Sequence, residues 1–315
     1  MAKSNLDLVD DCDSFPYYQS DPATYFASIS TYYQLRVTNH DYAVGYVLPS
    51  VAEIFRGLSD WAIDDDERTL TLTAGTTEAE RSHIVARTVV AMRETNHFQV
   101  LQEWRNELYP VYGRGRELLF NVERCASPLL GVVTYGIHLT AFVRSKDGSM
   151  KIWIPRRARN KQTYSGMLDN AVAGGIASGE APLESLVREC AEEASLPEEL
   201  VRERAKACGT VTYYYIRDER AGGETRLLQP ECQYIYELEL PEDVVPKPCD
   251  DEVEEFYLLS IEEVQEVMSK AEFKPNCALV MLDFFIRHGI LTSENEKDYI
   301  EIISRLHRKL EFPTL

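Results

Sequence analysis

Basic charge is scarce in this sequence, which has 33 lysine and arginine residues against 52 aspartate and glutamate residues and a net charge of −19. Such a chain repels polyanions, so DNA, RNA and acidic membrane surfaces are excluded as expected partners. No stretch approaches the roughly 20 apolar residues of a membrane helix. The acidic first fourteen residues show neither a secretory signal nor an arginine-rich transit peptide. We therefore expect a cytoplasmic location, with the nucleus as a second location left open.

Cysteine pairs of the Cys-x-x-Cys type are also missing, although the chain has seven cysteines. An odd number without that spacing indicates free thiols in a reducing compartment and argues against a disulfide framework or a zinc ribbon. Internal repeats and low-complexity tracts are absent as well. The hydrophobic content is ample for packed cores, because 44% of the 315 residues are hydrophobic. This length fits two domains, or one domain with large extensions.

Residues 174–196 combine a glycine-rich turn with an amphipathic helix pattern. Apolar residues recur there at helical spacing: Leu183, Leu186, Val187, Cys190, Ala191 and Ala194. This pattern predicts one buried face and leaves Arg188, Glu189, Glu192 and Glu193 exposed on the other. Residues three and four apart on a helix are neighbours about 5–6 Å apart. Three carboxylates are therefore expected to converge.

An oxygen-only group of this kind suits Mg²⁺ or Mn²⁺ better than Zn²⁺. The alternative is a solvated acidic face, since each like-charge pair costs only about 0.2–0.5 kcal/mol on an exposed helix. Arg188 is spaced to reach Glu192 one turn later and to hold it in place. Its alternative role is an ordinary surface ion pair.

The spacing resembles the Nudix box, Gly-x5-Glu-x7-Arg-Glu-apolar-x-Glu-Glu-x-Gly-apolar. The matching positions are Gly174, Glu180, Arg188, Glu189, Glu192 and Glu193. Six such positions would recur by chance on the order of once in 10⁵ chains. The resemblance implies an α/β fold, a Nudix α/β/α sandwich with a mixed sheet. It also implies a diphosphatase that cleaves phosphoanhydride bonds and holds its metal through Glu189, Glu192 and Glu193, with Arg188, Glu192 and Glu193 in the catalytic site.

One position departs from this motif, because Ser195 stands where the family usually has glycine. Glycine at that point ends the helix in a left-handed turn. Ser195, followed by Pro197 and Glu198, is instead expected to cap the next helix through a capping box.

Further strings, at residues 153–157, 166–170, 229–231 and 274–277, resemble a Nudix subfamily fused to some fungal thiamine pyrophosphokinases. The likeness runs from about residue 33 to residue 312, without a kinase domain after it. It implies removal of one phosphate from thiamine diphosphate, preferentially from oxidised or damaged forms such as oxo- and oxythiamine diphosphate. The alternatives are hydrolysis of another diphosphate, such as a nucleoside diphosphate derivative, and a binding or scaffold protein without turnover.

Four residues near the box are candidates for binding the small-molecule diphosphate: Arg157, Lys161, Gly174 and Gly175. Residues 156–161 form a basic cluster in an acidic chain, and the alternative is a solvated loop. Nudix proteins commonly place one more carboxylate near the metals. We assign this role to Glu252 within an acidic segment, with Glu231 as its competitor.

Residues 1–130 are expected to form a smaller N-terminal α+β domain, and residues 131–315 the Nudix hydrolase domain. A flexible arm is one alternative for residues 1–30. Thr77 with Glu80 predicts a capping box that starts a helix, and the pairs Ser260/Glu263 and Ser293/Glu296 predict two more. Residues 102–113 are dense in aromatic and charged residues, which suits either a pocket wall or a core.

Overall fold

The computed structural model describes residues 2–161, 163–249 and 251–315. The helices in these ranges are α1 (Asn5–Cys12), α2 (Pro22–Ile29), α3 (Pro49–Ala52), α4 (Glu78–Glu94), α5 (Ser127–Leu130), α6 (Pro182–Ala194), α7 (Glu198–Arg204), α8 (Ile261–Ser269), α9 (Pro275–Arg287) and α10 (Tyr299–Leu306). The strands are β1 (Tyr33–Val37), β2 (Gly45–Val47), β3 (Trp61–Asp64), β4 (Thr69–Leu72), β5 (Leu108–Tyr112), β6 (Leu118–Glu123), β7 (Thr134–Arg144), β8 (Met150–Arg157), β9 (Val172–Gly175), β10 (Lys206–Ile216), β11 (Leu228–Glu239) and β12 (Val253–Ser260). None of these helices is long and apolar enough to cross a membrane.

The first half of the chain contains a four-stranded sheet in the order β2-β1-β4-β3 and the hairpin β5-β6. Strands β1 and β2 pair antiparallel. Helix α4 begins with the predicted capping box, in which the Thr77 side chain accepts from the Glu80 amide and the Glu80 side chain accepts from the Thr77 amide. Its buried face includes four apolar residues: Ile84, Val85, Val89 and Met92. The local sequence pattern therefore predicted the start of α4.

The second half is built on a larger mixed sheet in the order β10-β11-β7-β8-β12, with β9 paired to β7. Strands β11 and β7 run parallel, whereas the other pairs are antiparallel. Side chains alternate across a strand, so Ile137 and Leu139 of β7 pack in the core under α6. Phe142 faces the other side, where it packs with α9. Helices thus cover both faces, which confirms the predicted α/β/α sandwich with a mixed sheet and a preceding N-terminal unit.

Residues 2–30 include the two helices α1 and α2, so this described segment is not the flexible arm considered above. The buried Asp13 accepts a hydrogen bond from the backbone amide of Tyr214 at 2.9 Å and pairs with the buried Arg308 at 3.0 Å. Phe15 packs on the Tyr214 ring with a centroid distance of 4.4 Å. This segment is therefore anchored on the larger sheet, and the division of the chain near residue 130 stays a prediction.

Two predicted helix caps are wrong. Ser195 adopts a left-handed conformation (φ 53°, ψ 32°) and ends α6, as glycine would, while α7 begins after Pro197 without a side-chain cap. The Ser195 hydroxyl instead donates to the Lys247 carbonyl at 3.0 Å. The last helix begins after Asp298, because the segment around Ser293 closes its own turn upstream. The capping box of Ser260 and Glu263, by contrast, is confirmed at the start of α8.

Candidate active site

Arg188 organises the exposed edge of the box. Its guanidinium donates to Glu180 at 2.9 and 3.1 Å, to Glu189 at 2.9 Å and to Glu192 at 3.1 Å. The predicted contact between Arg188 and Glu192 is therefore present. The hydrogen bond with Glu180 is the largest of several effects that raise the pKa of Arg188. One cation thus fixes the loop before α6 to two carboxylates of the helix.

The prediction that Glu193 is exposed is wrong. Its side chain is buried, and Oε2 accepts a hydrogen bond from the Ala173 amide of β9 at 3.0 Å. Two residues assigned to the apolar face, Leu183 and Ala191, are exposed instead. The buried face of α6 is rotated toward Glu193 because β9 lies against that side and supplies a backbone donor for the carboxylate. Glu192 remains exposed.

Two glycines allow close packing at the start of the box. A Cβ on Gly174 would overlap the Glu189 carboxylate and lie 2.6 Å from its Cγ. A Cβ on Gly175 would meet the hydroxyl of Tyr109 and lie 2.7 Å from Cζ of that ring. Gly174 therefore lets Glu189 lie against β9, and Gly175 lets β5 of the first half approach the box.

Negative charge accumulates on this side of α6. Burial raises the pKa of Glu189, although Arg188 partly offsets the effect. Burial also raises the pKa of Glu193 well above its ordinary value, and the charges of Glu189, Asp169 and Glu252 add to the shift. Buried carboxylate oxygens with incompletely compensated charge fit a hard divalent cation. Among the described residues, however, Glu189, Glu192 and Glu193 do not form a group whose ligand atoms all lie within 4.8 Å of one another. Glu192 is turned to Arg188 at the exposed edge.

The two basic candidates are held by carboxylates. Arg157 lies 2.7 Å from Asp169, and Lys161 lies 2.6 Å from Glu252. The side chains of Arg157 and Lys161 are only 12% and 14% exposed, so the solvated-loop alternative is wrong for both. Burial alone would raise the pKa of Glu252, but Lys161 and nearby arginines outweigh it and lower that pKa. Glu252 thus lies in the same charged cluster as Glu193 and is kept ionised.

Comparison with known proteins agrees with this geometry. Residues 134–277 match the family model of the NUDIX domain, and residues 26–134 match a domain of unknown function, DUF4743. The chain contains a NUDIX domain. It is 44% identical over 217 residues to the uncharacterized protein YJR142W of Saccharomyces cerevisiae, covering 67% of this chain and 63% of that protein. It is 40% identical over 207 residues to Nudix hydrolase 20, chloroplastic, of Arabidopsis thaliana, covering 65% of this chain and 53% of that protein.

The matches thus span between half and two thirds of these relatives' lengths. Among solved structures, DR0079 from Deinococcus radiodurans aligns with a TM-score of 0.39 at 22% identity. That alignment covers 56% of this chain and 99% of that chain.

A second group of potential ligands lies inside the NUDIX domain. Among the described residues, His138, Asp169 and Cys277 each place a ligand atom within 4.8 Å of the others. Asp169 already pairs with Arg157 and accepts from the Cys277 thiol at 2.7 Å. Burial, aided by the charge of Lys274, lowers the pKa of His138 to about 4, so its imidazole is neutral. Sequence reasoning missed this group, although two members belong to the strings at 166–170 and 274–277.

A cavity of about 250 Å³ lies beside the glycine turn and receives residues from both halves of the chain. Gly174 and Gly175 line it together with Tyr109, which comes from the segment considered as a pocket wall. Its other aromatic and polar lining residues include Tyr135, Tyr164, Tyr213, Tyr215, Gln229, Glu231, Gln233, Lys274 and Asn276. Sequence reasoning did not identify the strand tyrosines as pocket residues. The strings at 229–231 and 274–277 were the available signal, since both line the cavity.

Proposed function

We propose that this chain is a metal-dependent Nudix diphosphatase. It converts thiamine diphosphate, and preferentially its oxidised or damaged forms such as oxo- and oxythiamine diphosphate, to the monophosphate and phosphate. The observation that best supports the proposal is the packing of Glu189 against Gly174, which also lines the cavity. The carboxylates of α6 therefore lie next to a cavity for the organic group of the substrate. The Arabidopsis relative's name, Nudix hydrolase 20, supports the reaction class.

Glu189, Glu192 and Glu193 are the residues proposed to hold Mg²⁺ or Mn²⁺. Such an ion supplies charge neutralisation for a diphosphate and activation of water. Arg188 orients Glu189 and Glu192, and the Ala173 amide orients Glu193. Glu252, which pairs with Lys161 and has a lowered pKa, is the residue proposed to accept a hydrogen bond from the attacking water. Positioning and charge stabilisation carry most of the catalysis in phosphoryl transfer.

Arg157 and Lys161 are proposed to contact the terminal phosphate. A diphosphate brings two or three negative charges into a region that is already acidic, so it needs cations from the protein. Each charged hydrogen bond of this kind contributes about 1.5–3 kcal/mol. Both side chains are oriented by carboxylates, Arg157 by Asp169 and Lys161 by Glu252, which holds their charge at the site before a ligand binds.

A phosphate-release assay tests the proposal. The substrates are thiamine diphosphate, oxo- and oxythiamine diphosphate, and a set of nucleoside diphosphate derivatives, each with Mg²⁺ and with Mn²⁺. The phosphomonoester products are also separated by chromatography, because a derivative that is esterified at both phosphates is cleaved without release of free phosphate. We expect the highest kcat/KM with the oxidised thiamine compounds. Release from nucleoside derivatives alone would assign another diphosphate substrate. Absence of turnover with both metals would instead indicate a binding or scaffold protein.

The cytoplasmic location also stays a prediction, since the Arabidopsis relative is named as chloroplastic. Fractionation of cells that produce the chain with its own first residues would test it. Recovery of the protein in an organelle fraction would contradict the prediction.

A further inference from the structure

Glu231 of β11 lines the cavity and has an incompletely used carboxylate. Its Oε2 accepts hydrogen bonds from the Tyr213 hydroxyl at 2.6 Å and from the Gln233 side-chain amide at 2.8 Å. Within the described residues, Oε1 receives one long contact of 3.4 Å from the Gln229 amide. A carboxylate oxygen has room for about two hydrogen bonds. Oε1 therefore retains the capacity to accept from a ligand.

The surroundings of Glu231 hold its side chain in one orientation. Burial raises the pKa of Glu231, and the hydrogen bonds from Tyr213 and Gln233 and the positive charges of Lys274 and Arg217 oppose that rise. Tyr213 is itself buried, and the Gln233 side chain also contacts the Tyr213 hydroxyl at 3.1 Å. The orientation of Glu231 is thus set by neighbours on β10 and β11. A half-buried acceptor held in this way favours a ligand that brings an N–H donor.

The distance from Glu231 to the box suits a ligand with two different ends. Glu231 pairs with Thr134 of β7, and β7 pairs with β9 at Gly174 and Gly175. Two steps between neighbouring strands, with an offset of two to three residues along β7, amount to about 12–14 Å. The diphosphate end would lie at the α6 carboxylates, and the organic end would lie near Glu231. Tyrosine rings line the space between them, which suits a flat ring.

We propose that Glu231 selects the organic part of the substrate. Its Oε1 accepts a hydrogen bond from an N–H or amino group of a nitrogen heterocycle, while Tyr213 and Gln233 act as positioning residues. This inference rests on the proposed function, because it places the diphosphate at the α6 carboxylates. The inference also gives Glu231 and Glu252 different roles, although both were candidates for the additional carboxylate near the metals. Glu252 lies in the charged cluster with Glu193.

The test compares wild type with Glu231→Gln in the full chain. In this variant, Tyr213 and Gln233 donate hydrogen bonds to the amide oxygen of the new side chain. The NH₂ group of the new side chain therefore takes the place of Oε1, where it cannot accept a hydrogen bond from an N–H group of the ligand. We expect kcat/KM to fall about 10- to 100-fold for thiamine diphosphate and for a nucleoside diphosphate. For an alkyl diphosphate without a heterocycle, kcat/KM should change by less than about threefold. Glu239→Gln, an exposed change on the same strand, is the matched control.

Equal losses on heterocyclic and alkyl substrates would overturn the inference. If the wild-type protein hydrolyses the alkyl diphosphate as efficiently as the heterocyclic diphosphates, the inference is also overturned. This comparison holds even if the Glu231→Gln variant does not fold. If only the nucleoside diphosphate shows hydrolysis that depends on Glu231, the thiamine assignment fails and the inference stands. If no diphosphate is hydrolysed, calorimetric binding of the same ligands decides the question, and equal affinity in wild type and variant would refute the inference.

Discussion

Replacement of Gly174 by alanine tests whether the position of Glu189 matters for catalysis. The new Cβ would lie 2.6 Å from Cγ of Glu189, whereas carbon atoms in contact are normally about 3.5–4.0 Å apart. The glutamate must therefore move by about 1 Å. A misplacement of that size at a catalytic group can lower the rate on the order of 10²-fold. The stability should change by less than about 1 kcal/mol, because alanine also restricts the unfolded chain.

Gly179→Ala is the matched control in the same loop. Gly179 has φ of +84° and no heavy atom within 4 Å of an added Cβ. Alanine there meets no neighbour but adopts a left-handed conformation that costs about 1–2 kcal/mol. The two variants should therefore show opposite effects. Gly174→Ala should lose activity and keep its stability, and Gly179→Ala should lose stability and keep its activity.

The assay combines urea unfolding with kcat/KM for phosphate release from the best diphosphate substrate. An active Gly174→Ala variant, within about threefold of wild type, would refute the reasoning that Glu189 must lie against β9. A large loss of stability in the same variant would show that the glycine is needed for packing instead.

Three further predictions concern charged groups. Burial raises the pKa of Glu193 well above its ordinary value of 4.5. The folded, metal-free chain therefore keeps a proton on Glu193 at pH values at which the unfolded chain has lost it. The free energy of unfolding should fall as pH rises above the ordinary value of 4.5. Glu193→Gln should flatten this fall in urea titrations, and an unchanged slope would contradict the prediction. Arg157→Ala should cost about 3 kcal/mol by unpairing a buried carboxylate. Both Arg157→Ala and Lys161→Ala should lower kcat/KM about 10- to 100-fold, while metal affinity stays nearly unchanged. If both variants keep the kcat/KM of the wild type, Arg157 and Lys161 do not bind the terminal phosphate. Asp13→Ala should lower the free energy of unfolding by about 3 kcal/mol, as measured by thermal or urea unfolding. Replacement of the exposed Asp10 by alanine should lower it much less. Equal losses in the two variants would argue against the anchoring role of Asp13.

Local signals in the sequence predicted the elements that depend on local contacts. Thr77 and Glu80 start α4 because the capping box needs only the four residues around it. The spacing of Arg188 and Glu192 likewise places them one turn apart on the same edge. The capping box of Ser260 and Glu263 is another such local signal, because it also needs only the residues of one helix turn.

The errors arise where the environment comes from distant residues. Helical spacing shows which side chains share a face, but it does not show that β9 covers Glu193 with a backbone donor. Ser195 tolerates the left-handed turn because its hydroxyl finds the Lys247 carbonyl, 52 residues away in sequence. The pairing of Asp13 with Arg308 and the position of Tyr213 in the cavity also depend on long-range contacts. No local pattern encodes such contacts.

The rate of Glu193→Gln on the best diphosphate substrate tests the central claim most directly. The replacement keeps the size of the side chain and an oxygen for the Ala173 amide, but it removes the charge of a proposed metal ligand. Phosphate release should fall by on the order of 10²-fold or more, about 3 kcal/mol, while the unfolding midpoint in metal-free buffer stays at or above that of wild type. A folded variant with a rate within about threefold of wild type would contradict the claim that this carboxylate supports metal-dependent hydrolysis.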